Sequence, residues 1–137
     1  MTLRDLPGLT ITELQKLLRA QEVSPREVMI ALHERIGVLD PKIGAYLSLD
    51  LDAALSAADA ANVDLPLGGI PIAIKDAISV RDQPCTCASR SLRDYRALYD
   101  ATVIVRLRAA GAIPFGRTNM DEFAMGSSTE NSSFRRT

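Results

Sequence analysis

The sequence is poor in the residue types that most often carry catalysis or stack on nucleic-acid bases. Its 137 residues include no tryptophan, one histidine and two cysteines, and aromatic residues make up only 4%. The lone histidine, His33, stands beside the apolar stripe of a predicted helix, a position more typical of a packed or solvated residue than of a catalyst. With no second histidine, a Ser–Lys pairing is more accessible to a serine nucleophile than a Ser–His–Asp triad.

Charge is balanced, and long apolar runs are lacking. Sixteen basic residues oppose seventeen acidic ones, for a net charge of -1, and no Lys/Arg stripe is interleaved with aromatics. We therefore expect no direct binding of nucleic acid by this chain. No run approaches the roughly 18 uncharged apolar residues of a membrane span. The opening residues, MTLRDLPGLT, lack the pattern of a secretory signal, so we expect a cytoplasmic protein, or an organellar one if the source is eukaryotic.

The two cysteines, Cys85 and Cys87, are separated by one residue. A disulfide between such near neighbours would be strained. A closed zinc site needs four nitrogen or sulfur ligands, and the sequence offers only these two thiols and His33. Because free cysteine is usually a small buried hydrophobe, we expect both to be structural and no metal to be bound by this chain.

Two helices are predicted together with their caps. Thr10 lies three residues before Glu13, which is the spacing of a capping box. Ser24 and Glu27 repeat that spacing, with Pro25 at the first helical position. The apolar stripes that follow are Ile11, Leu14, Leu17 and Leu18 in the first helix and Val28, Leu32, Ile36 and Leu39 in the second.

Three further helices are predicted downstream. The third begins at Asp50 or Asp52 and is rich in alanine and leucine. The fourth has Asp100 as its cap and ends at Gly111, which suits a left-handed C-terminal cap. Its predicted apolar face consists of Val103, Leu107 and Ala110. A short fifth helix follows from a capping box between Asn119 and Glu122 and runs to about Met125.

Two strands are predicted between these helices. Residues 70–75 form an apolar strand, and AIPFG, at 112–116, is a second candidate. Pro114 has no amide donor, which places the second strand at a sheet edge or a bulge. The segment from 79 to 99 is predicted to be mostly loop with some short helix. Strands separated by helices indicate an α/β layer structure.

The first predicted strand ends on a charged residue, Lys75. Alternation places Lys75 with Pro71 and Ala73 on the face opposite to Ile70, Ile72 and Ile74. Such a lysine is either a snorkelling side chain whose head reaches water or a desolvated amine in a cleft. In the second case burial favours the neutral amine, which can take a proton from a hydroxyl as a general base. Asp76 points to the other face and is expected to accept backbone amides in the following turn.

Three segments carry a resemblance to a known family. They are GGIPIAIKDAI, then TCAS, and then YDATVIVRLRAAGAIPFGRTNMDEFAMGSSTENSSF. They resemble the amidase signature family and, within it, the ammonia-releasing subunits of tRNA-dependent amidotransferases; TNMDEFAMGSSTENS is the most specific part. The resemblance implies an α/β fold with one large mixed sheet covered by helices. Residues 1–137 would be the N-terminal portion of a single amidase domain, helical over 1–62 and entering the α/β core at 63–137.

The resemblance also assigns roles to residues. The family uses a Ser–cis-Ser–Lys triad, and its lysine is the one in the IKD segment, which puts the catalytic role on Lys75. The loop residues Met125, Gly126, Ser127 and Ser128 lie near the substrate pocket in relatives, although a plain helix cap and turn would have the same sequence. In the family a glycine- and serine-rich segment supplies the bridging serine and the nucleophile serine lies a little further on, so both are expected beyond Thr137. The serines at 127, 128, 132 and 133 are not expected to be nucleophiles.

The implied activity is release of ammonia from glutamine, or from asparagine. The ammonia would pass to partner subunits, known as B and C in these amidotransferases, and the B component would hold ATP, magnesium and the mischarged tRNA. This chain would bind no cofactor and would be inactive alone. Two other interpretations remain open at this stage: a stand-alone hydrolase of another amide, and a non-catalytic module that docks partners through its first helices.

Overall fold

The computed structural model describes residues 3–137, which form a mixed α/β structure. The α-helices are α1 (Ile11–Arg19), α2 (Pro25–Ile43), α3 (Leu51–Asp59) and α4 (Thr102–Ala109). The strands are β1 (Tyr46–Ser48), β2 (Pro71–Lys75) and β3 (Ile113–Thr118). Short 3-10 helices span Leu3–Gly8, Arg90–Leu92 and Glu122–Ala124.

The first two helices begin where their capping boxes predict. In α1, the Glu13 N–H donates to the Thr10 hydroxyl and the Glu13 carboxylate accepts the Thr10 N–H. Ser24 and Glu27 make the same reciprocal pair ahead of α2. These bonds satisfy amide groups that have no acceptor inside the helix, which fixes each N-terminus in the predicted place.

The predicted apolar stripes are confirmed only in part. Leu14 and Leu18 of α1 are buried, whereas Ile11 is 49% exposed. In α2 the buried residues are Val28, Met29 and Ala31, and the helix continues through Pro41 to Ile43. Its C-terminal half leaves apolar side chains in solvent, among them Leu39, which the stripe predicted to be buried. The described residues pack only the N-terminal half of this helix.

The third and fourth helices differ in how well their ends were predicted. α3 starts after Asp50, whose carboxylate accepts the N–H of Ala53. α4 begins at Thr102, one residue later than a cap at Asp100 predicts, and the Asp100 carboxylate accepts the N–H of Arg81. The predicted apolar face of α4 is wrong at Val103, which is 47% exposed. Ile104 is the fully buried residue instead.

The three strands form one sheet in the order β1-β3-β2. β1 pairs with β3 in antiparallel fashion, with a register irregularity between Tyr46 and Ser48. β2 and β3 run in the same direction, because Ile70 accepts from Ile113 at one end and Asp76 donates to Thr118 at the other. The sequence analysis predicted no strand at 46–48.

The edge position predicted for the proline-containing strand is wrong, since β3 is the central strand. Pro114 is tolerated because β1 pairs only with Arg117 and Thr118, at the far end of β3. On the β2 side, the N–H next to the proline, that of Ile113, donates to Ile70. The irregular register also falls at Tyr46 and Ser48 and not at the proline.

The predicted helix from Asn119 to Met125 is also wrong. Only Glu122–Ala124 is helical, as one 3-10 turn, and Phe123 inside it has a φ of 53°. The side-chain oxygen of Asn119 accepts the N–H of Met120, while the Glu122 carboxylate bonds to Ser89 and Ser133. The capping box therefore does not form, because both of its members are engaged elsewhere.

The described residues cluster into two units by their internal contacts. One comprises residues up to 39, 50–72 and 106–115, and the other comprises 40–49, 73–105 and 116–137. The first unit has an apolar core built mainly from α1, α2 and the residue just before β2, with Leu6, Leu14, Leu18, Val23, Val28, Ala31 and Ile70. The second unit buries polar groups among its apolar side chains, namely Asp76, Thr86, Ser89, Arg117 and Asp121. Across residues 3–137 no helix is long and apolar enough to cross a membrane.

Candidate active site

Lys75 is the last residue of β2, and its side chain is exposed. The alternation predicted for this strand is confirmed in its second half, because Ile74 is buried whereas Ala73 and Lys75 are exposed, while Pro71 and Ile72 are both half-buried. The strand therefore carries the amine on its open face, at the end where the chain turns away. Desolvation of this amine, which a general base would need, is not provided by the residues that the structure describes.

Asp76, the next residue, is almost completely buried and lies at the centre of a hydrogen-bond cluster. Its Oδ2 accepts the N–H of Thr86 at 3.1 Å, the N–H of Ala88 at 3.2 Å and the hydroxyl of Thr86. The expectation that Asp76 accepts backbone amides is confirmed. The donors, however, lie ten and twelve residues onward and not in the following turn, so Asp76 anchors the TCAS segment against the end of β2.

The other oxygen of Asp76 faces a buried arginine. Nε of Arg117 lies 3.6 Å from Oδ1 of Asp76, and the two side chains are 2% and 1% exposed. The Arg117 Nη2 donates to the carbonyl of Ile78 at 2.6 Å. This ion pair joins the end of β2 to the end of β3, and the sequence analysis did not predict it.

The TCAS segment has an unusual backbone conformation. Cys87 and Ala88 are both left-handed, each with a φ of 51°, a region that non-glycine residues rarely enter. The Cys87 N–H donates to the backbone carbonyl of Asp76, and the Cys85 thiol lies 3.5 Å from the same carbonyl. Strained backbone of this kind persists where the surrounding contacts determine it, and it concentrates at functional sites.

Both thiols are free, and Cys85 is buried. The structural role expected of Cys85 agrees with its packing against Asp76. Burial raises the pKa of Cys87, and the neighbouring Cys85 and Asp76 raise it further, against an opposing effect of Arg117. Over residues 3–137, no group of three or more His, Cys, Asp or Glu side chains is placed to hold a metal ion.

A second buried carboxylate, Asp121, organises the segment after β3. Its oxygens accept the N–H groups of Ser128, Thr129 and Asn131 at 3.0–3.1 Å. These bonds, that of Asn131 first and then that of Thr129, lower the pKa of Asp121, and the positive charge of Lys75 lowers it further, while desolvation opposes them. Asp121 is therefore an anion at neutral pH.

The predicted substrate loop lies next to this carboxylate. Met125 is 74% exposed, and Gly126, Ser127 and Ser128 are also exposed. A Cβ at Gly126 would lie 2.5 Å from Cγ of Asp121, so the loop passes directly over the carboxylate. The Ser128 hydroxyl donates to Glu130 at 2.9 Å. The structure thus places this loop directly against Asp121, a residue that the sequence analysis did not single out and whose pKa the charge of Lys75 also lowers.

Further contacts hold this segment against the TCAS segment. The Phe123 N–H donates to the carbonyl of Cys87 at 2.9 Å, and the Ser133 N–H donates to the carbonyl of Ala88 at 3.0 Å. Hydrogen bonds from the Ser89 and Ser133 side chains lower the pKa of Glu122. The two loops that follow β2 and β3 therefore form one hydrogen-bonded layer beside the end of β2.

The second unit also has a cavity of about 450 Å³ that does not include Lys75. Tyr46, Asp76, Thr86 and Arg135 are among the residues that line it. Lys75 lies outside this cavity as an exposed amine at the end of β2, and the loops that follow β2 and β3 are held by the buried carboxylates of Asp76 and Asp121.

Comparison with known proteins identifies the class. The model of the family described as Amidase matches residues 27–137. The chain therefore belongs to the amidase family, and the resemblance predicted from the GGIPIAIKDAI and TNMDEFAMGSSTENS segments is confirmed.

Within this family, the chain is similar to amidotransferase A subunits. The chain is 59% identical over 125 residues to the A subunit of the glutamyl-tRNA(Gln) amidotransferase of Methylacidiphilum infernorum, covering 91% of this chain and 25% of that protein. It is 52% identical over 130 residues to the protein of the same name from Halothermothrix orenii, covering 95% and 27%. The chain thus spans about a quarter of the length of these relatives.

Solved structures confirm the predicted fold class. The A subunit of the glutamyl-tRNA(Gln) amidotransferase from Thermotoga maritima matches with a TM-score of 0.73 and 35% identity, over 98% of this chain and 27% of that one. The peptide amidase of Stenotrophomonas maltophilia matches with a TM-score of 0.75 and 31% identity, over 82% and 25%. A 6-aminohexanoate cyclic dimer hydrolase matches with a TM-score of 0.88 and 26% identity, over 100% and 28%.

Proposed function

We propose that this chain is the N-terminal part of an amidotransferase A subunit that releases ammonia from glutamine for the conversion of Glu-tRNA(Gln) to Gln-tRNA(Gln), or of Asp-tRNA(Asn) to Asn-tRNA(Asn). The observation that carries the proposal is the 59% identity to a protein of that name over nearly the whole chain. The geometry supports it, because Lys75 is presented on the open face of β2, and its charge acts on Asp121, which holds the loop that is predicted to bind substrate.

The proposed role of Lys75 is that of the base in a Ser–cis-Ser–Lys triad. Its neutral amine takes the proton of a bridging serine, which activates a second serine to attack the carboxamide carbon of glutamine. The carbon–nitrogen bond breaks, ammonia leaves with a proton returned through the triad, and water then hydrolyses the acyl-enzyme. Because Lys75 is exposed here, the residues that shield its amine belong to the remainder of the proposed full-length protein.

The chain contributes one triad member, so on its own it is inactive in this proposal. It forms the N-terminal portion of a single amidase domain, and the two serines lie beyond Thr137.

The partners in this proposal are the B and C subunits, and ATP, magnesium and the mischarged tRNA are held by the B component. The balanced charge of this chain is compatible with binding of the tRNA and ATP by the B component, since the chain itself need not bind phosphate groups.

The test uses the full-length protein assembled with its B and C partners. Lys75→Ala should lower ammonia release from glutamine by about 10²–10⁴-fold, the range for loss of a general base. Lys42→Ala is the matched control, because Lys42 is an exposed lysine in the last turn of α2 and should leave the rate unchanged. Ammonia release that survives Lys75→Ala would refute the proposed role.

A stand-alone amide hydrolase is the second candidate. The observation that favours it is the TM-score of 0.88 with a 6-aminohexanoate cyclic dimer hydrolase, above the 0.73 found with the amidotransferase structure. The candidates differ in their dependence on partners. Hydrolysis of a non-glutamine amide by the full-length protein alone, with no stimulation of glutaminase activity by the B and C partners, would favour the hydrolase.

A further inference from the structure

The loop from Gly126 to Asn131 is built around a single side chain. Asp121 is 5% exposed, and three backbone N–H groups of the loop are directed at it. Its Oδ2 accepts from Ser128 at 3.1 Å and from Thr129 at 3.0 Å, and its Oδ1 accepts from Asn131 at 3.0 Å. A carboxylate that accepts several backbone N–H groups can fix a loop, because each charge-assisted bond is lost if the loop moves.

Local conformational preference does not explain the shape of this loop. Thr129 has a φ of 62°, which is unfavourable for a β-branched residue. Gly126 has no room for a side chain, since a Cβ would lie 2.5 Å from Cγ of Asp121 and 2.6 Å from its Oδ2. Contacts with the carboxylate therefore hold the loop in a conformation that its own residues disfavour.

The same side chain also feels the positive charge of Lys75. The charge of Lys75 is among the causes that lower the pKa of Asp121, after the bonds from Asn131 and Thr129. Asp121 is thus in direct contact with two of the four predicted substrate-loop residues, Gly126 and Ser128, and it also feels the positive charge of Lys75. Its oxygens are already occupied by backbone amides, so it is suited to hold groups in place and not to transfer a proton.

We propose that Asp121 is a positioning residue that fixes the 125–128 loop relative to the Lys75 amine and thereby sets the binding of the carboxamide substrate. This inference rests on the proposed function, because it takes Lys75 as the base and this loop as part of the substrate site. A primary carboxamide such as that of glutamine must be held by the loop within reach of the nucleophile that Lys75 activates. Displacement of the loop should therefore weaken binding of the carboxamide more than it slows the proton transfers.

The test is Asp121→Asn in the full-length protein assembled with its B and C partners. Asparagine keeps the volume but replaces one acceptor oxygen with an amide that cannot accept, so at least one loop N–H loses its partner. The KM for glutamine should rise about tenfold, the effect of losing a hydrogen bond to a charged group, with a smaller fall in kcat. Asp94→Asn, whose parent side chain is 94% exposed, is the matched control and should leave both constants unchanged.

A second variant tests whether Asp121 acts through the loop. Gly126→Ala displaces the loop from Asp121 without changing any charge. The Asp121→Asn and Gly126→Ala changes should then be non-additive, and the double variant should have a KM no higher than that of the worse single variant. Independent, additive effects on KM would overturn the inference.

The remaining outcomes separate this inference from the proposed function. Supplying free ammonia to the complex bypasses the glutamine site, so an Asp121→Asn complex that uses ammonia at the wild-type rate is assembled correctly. Given that result, a wild-type KM for glutamine, or a fall in kcat alone, would overturn the positioning role. If instead the wild-type complex releases no ammonia from glutamine, or Lys75→Ala remains active, the proposed function itself fails.

Discussion

Nε of Arg117 lies 3.6 Å from Oδ1 of Asp76, and the two side chains are 2% and 1% exposed. This buried ion pair joins the residue after Lys75 to the strand that pairs with β2. Removing one partner of such a pair leaves an uncompensated charge in a buried site, which costs far more than loss of a surface pair. The position of Lys75 at the end of β2 therefore depends on an interaction across the sheet.

Arg117→Met should destabilise the protein by about 3 kcal/mol or more, because it strands the Asp76 carboxylate. Arg93→Met is the control, since Arg93 contacts Asp94 at 3.9 Å with both side chains largely in solvent, and its loss should cost less than about 0.5 kcal/mol. Denaturant unfolding of the full-length protein followed by circular dichroism measures both. Equal midpoints for the two variants would contradict a stabilising role for the buried pair.

The Asp76–Arg117 pair joins distant segments of the chain, and such contacts are harder to predict from sequence than local ones. The helix caps at Thr10 and Ser24 could be predicted because a capping box is local and its members lie three residues apart. Alternation in β3 would have placed Arg117 on the buried face with Ile113 and Phe115. A buried arginine needs an acidic partner, so the sequence did contain a reason to expect that Arg117 forms an ion pair.

The partner of Arg117 could not be identified from sequence, because sheet pairing between distant segments determines it. Asp121 left a weaker signal, an acidic residue just before the turn-rich stretch GSSTEN. The three-residue strand β1 gave none, since three residues are too few for an alternating pattern. Strand alternation singled out Lys75 but left two interpretations open, whereas its triad role and the 125–128 loop came from the family resemblance; both roles remain predictions.

Gly116→Ala should destabilise the protein by roughly 2 kcal/mol. Gly116 has a φ of +81°, and a Cβ there would lie 2.7 Å from the ring of Tyr46 and 2.8 Å from Leu49, so the change adds backbone strain to a steric clash. Gly37→Ala provides a matched control of opposite sign. Gly37 lies inside α2 with nothing within 4 Å of the new Cβ, and the substitution should stabilise by up to about 1 kcal/mol. Thermal melts of both variants test the pair, and a neutral Gly116→Ala would show that β3 adjusts.

Ser24→Ala should cost about 1 kcal/mol at neutral pH, the usual effect of losing an N-cap. Bonds from the backbone N–H and the hydroxyl of Ser24 lower the pKa of Glu27. A carboxylate with a lowered pKa contributes stability above its ordinary value of 4.5 and loses that contribution as the pH falls through the lowered value. The stability difference between wild type and Ser24→Ala should therefore shrink as the pH falls below 4.5. A difference independent of pH would show that the hydroxyl acts without Glu27.

The isolated 137-residue chain should be poorly stable or self-associate. Large apolar side chains are exposed across the described residues, including Val38 at 73%, Leu98 at 76% and Met125 at 74%. The outer strands β1 and β2 also have edges that pair with nothing in this sheet. Apolar surface and open strand edges both favour association. Analytical ultracentrifugation and a thermal melt test the prediction, and a monomer with a sharp, cooperative transition would contradict it.

Cys87 should react slowly with a thiol-alkylating reagent at neutral pH. The reactive species is the thiolate, and burial together with the neighbouring Cys85 and Asp76 raises the pKa of Cys87, so less thiolate is present than in the unfolded chain. A Cys85→Ser variant isolates the reaction of Cys87 for mass spectrometry. The alkylation rate should increase as the pH rises above neutrality and should jump when the protein is unfolded in urea. Modification in the folded state as fast as in urea would mean that the TCAS segment opens readily, and the hydrogen bonds from Thr86 and Ala88 to Asp76 would then not hold it closed.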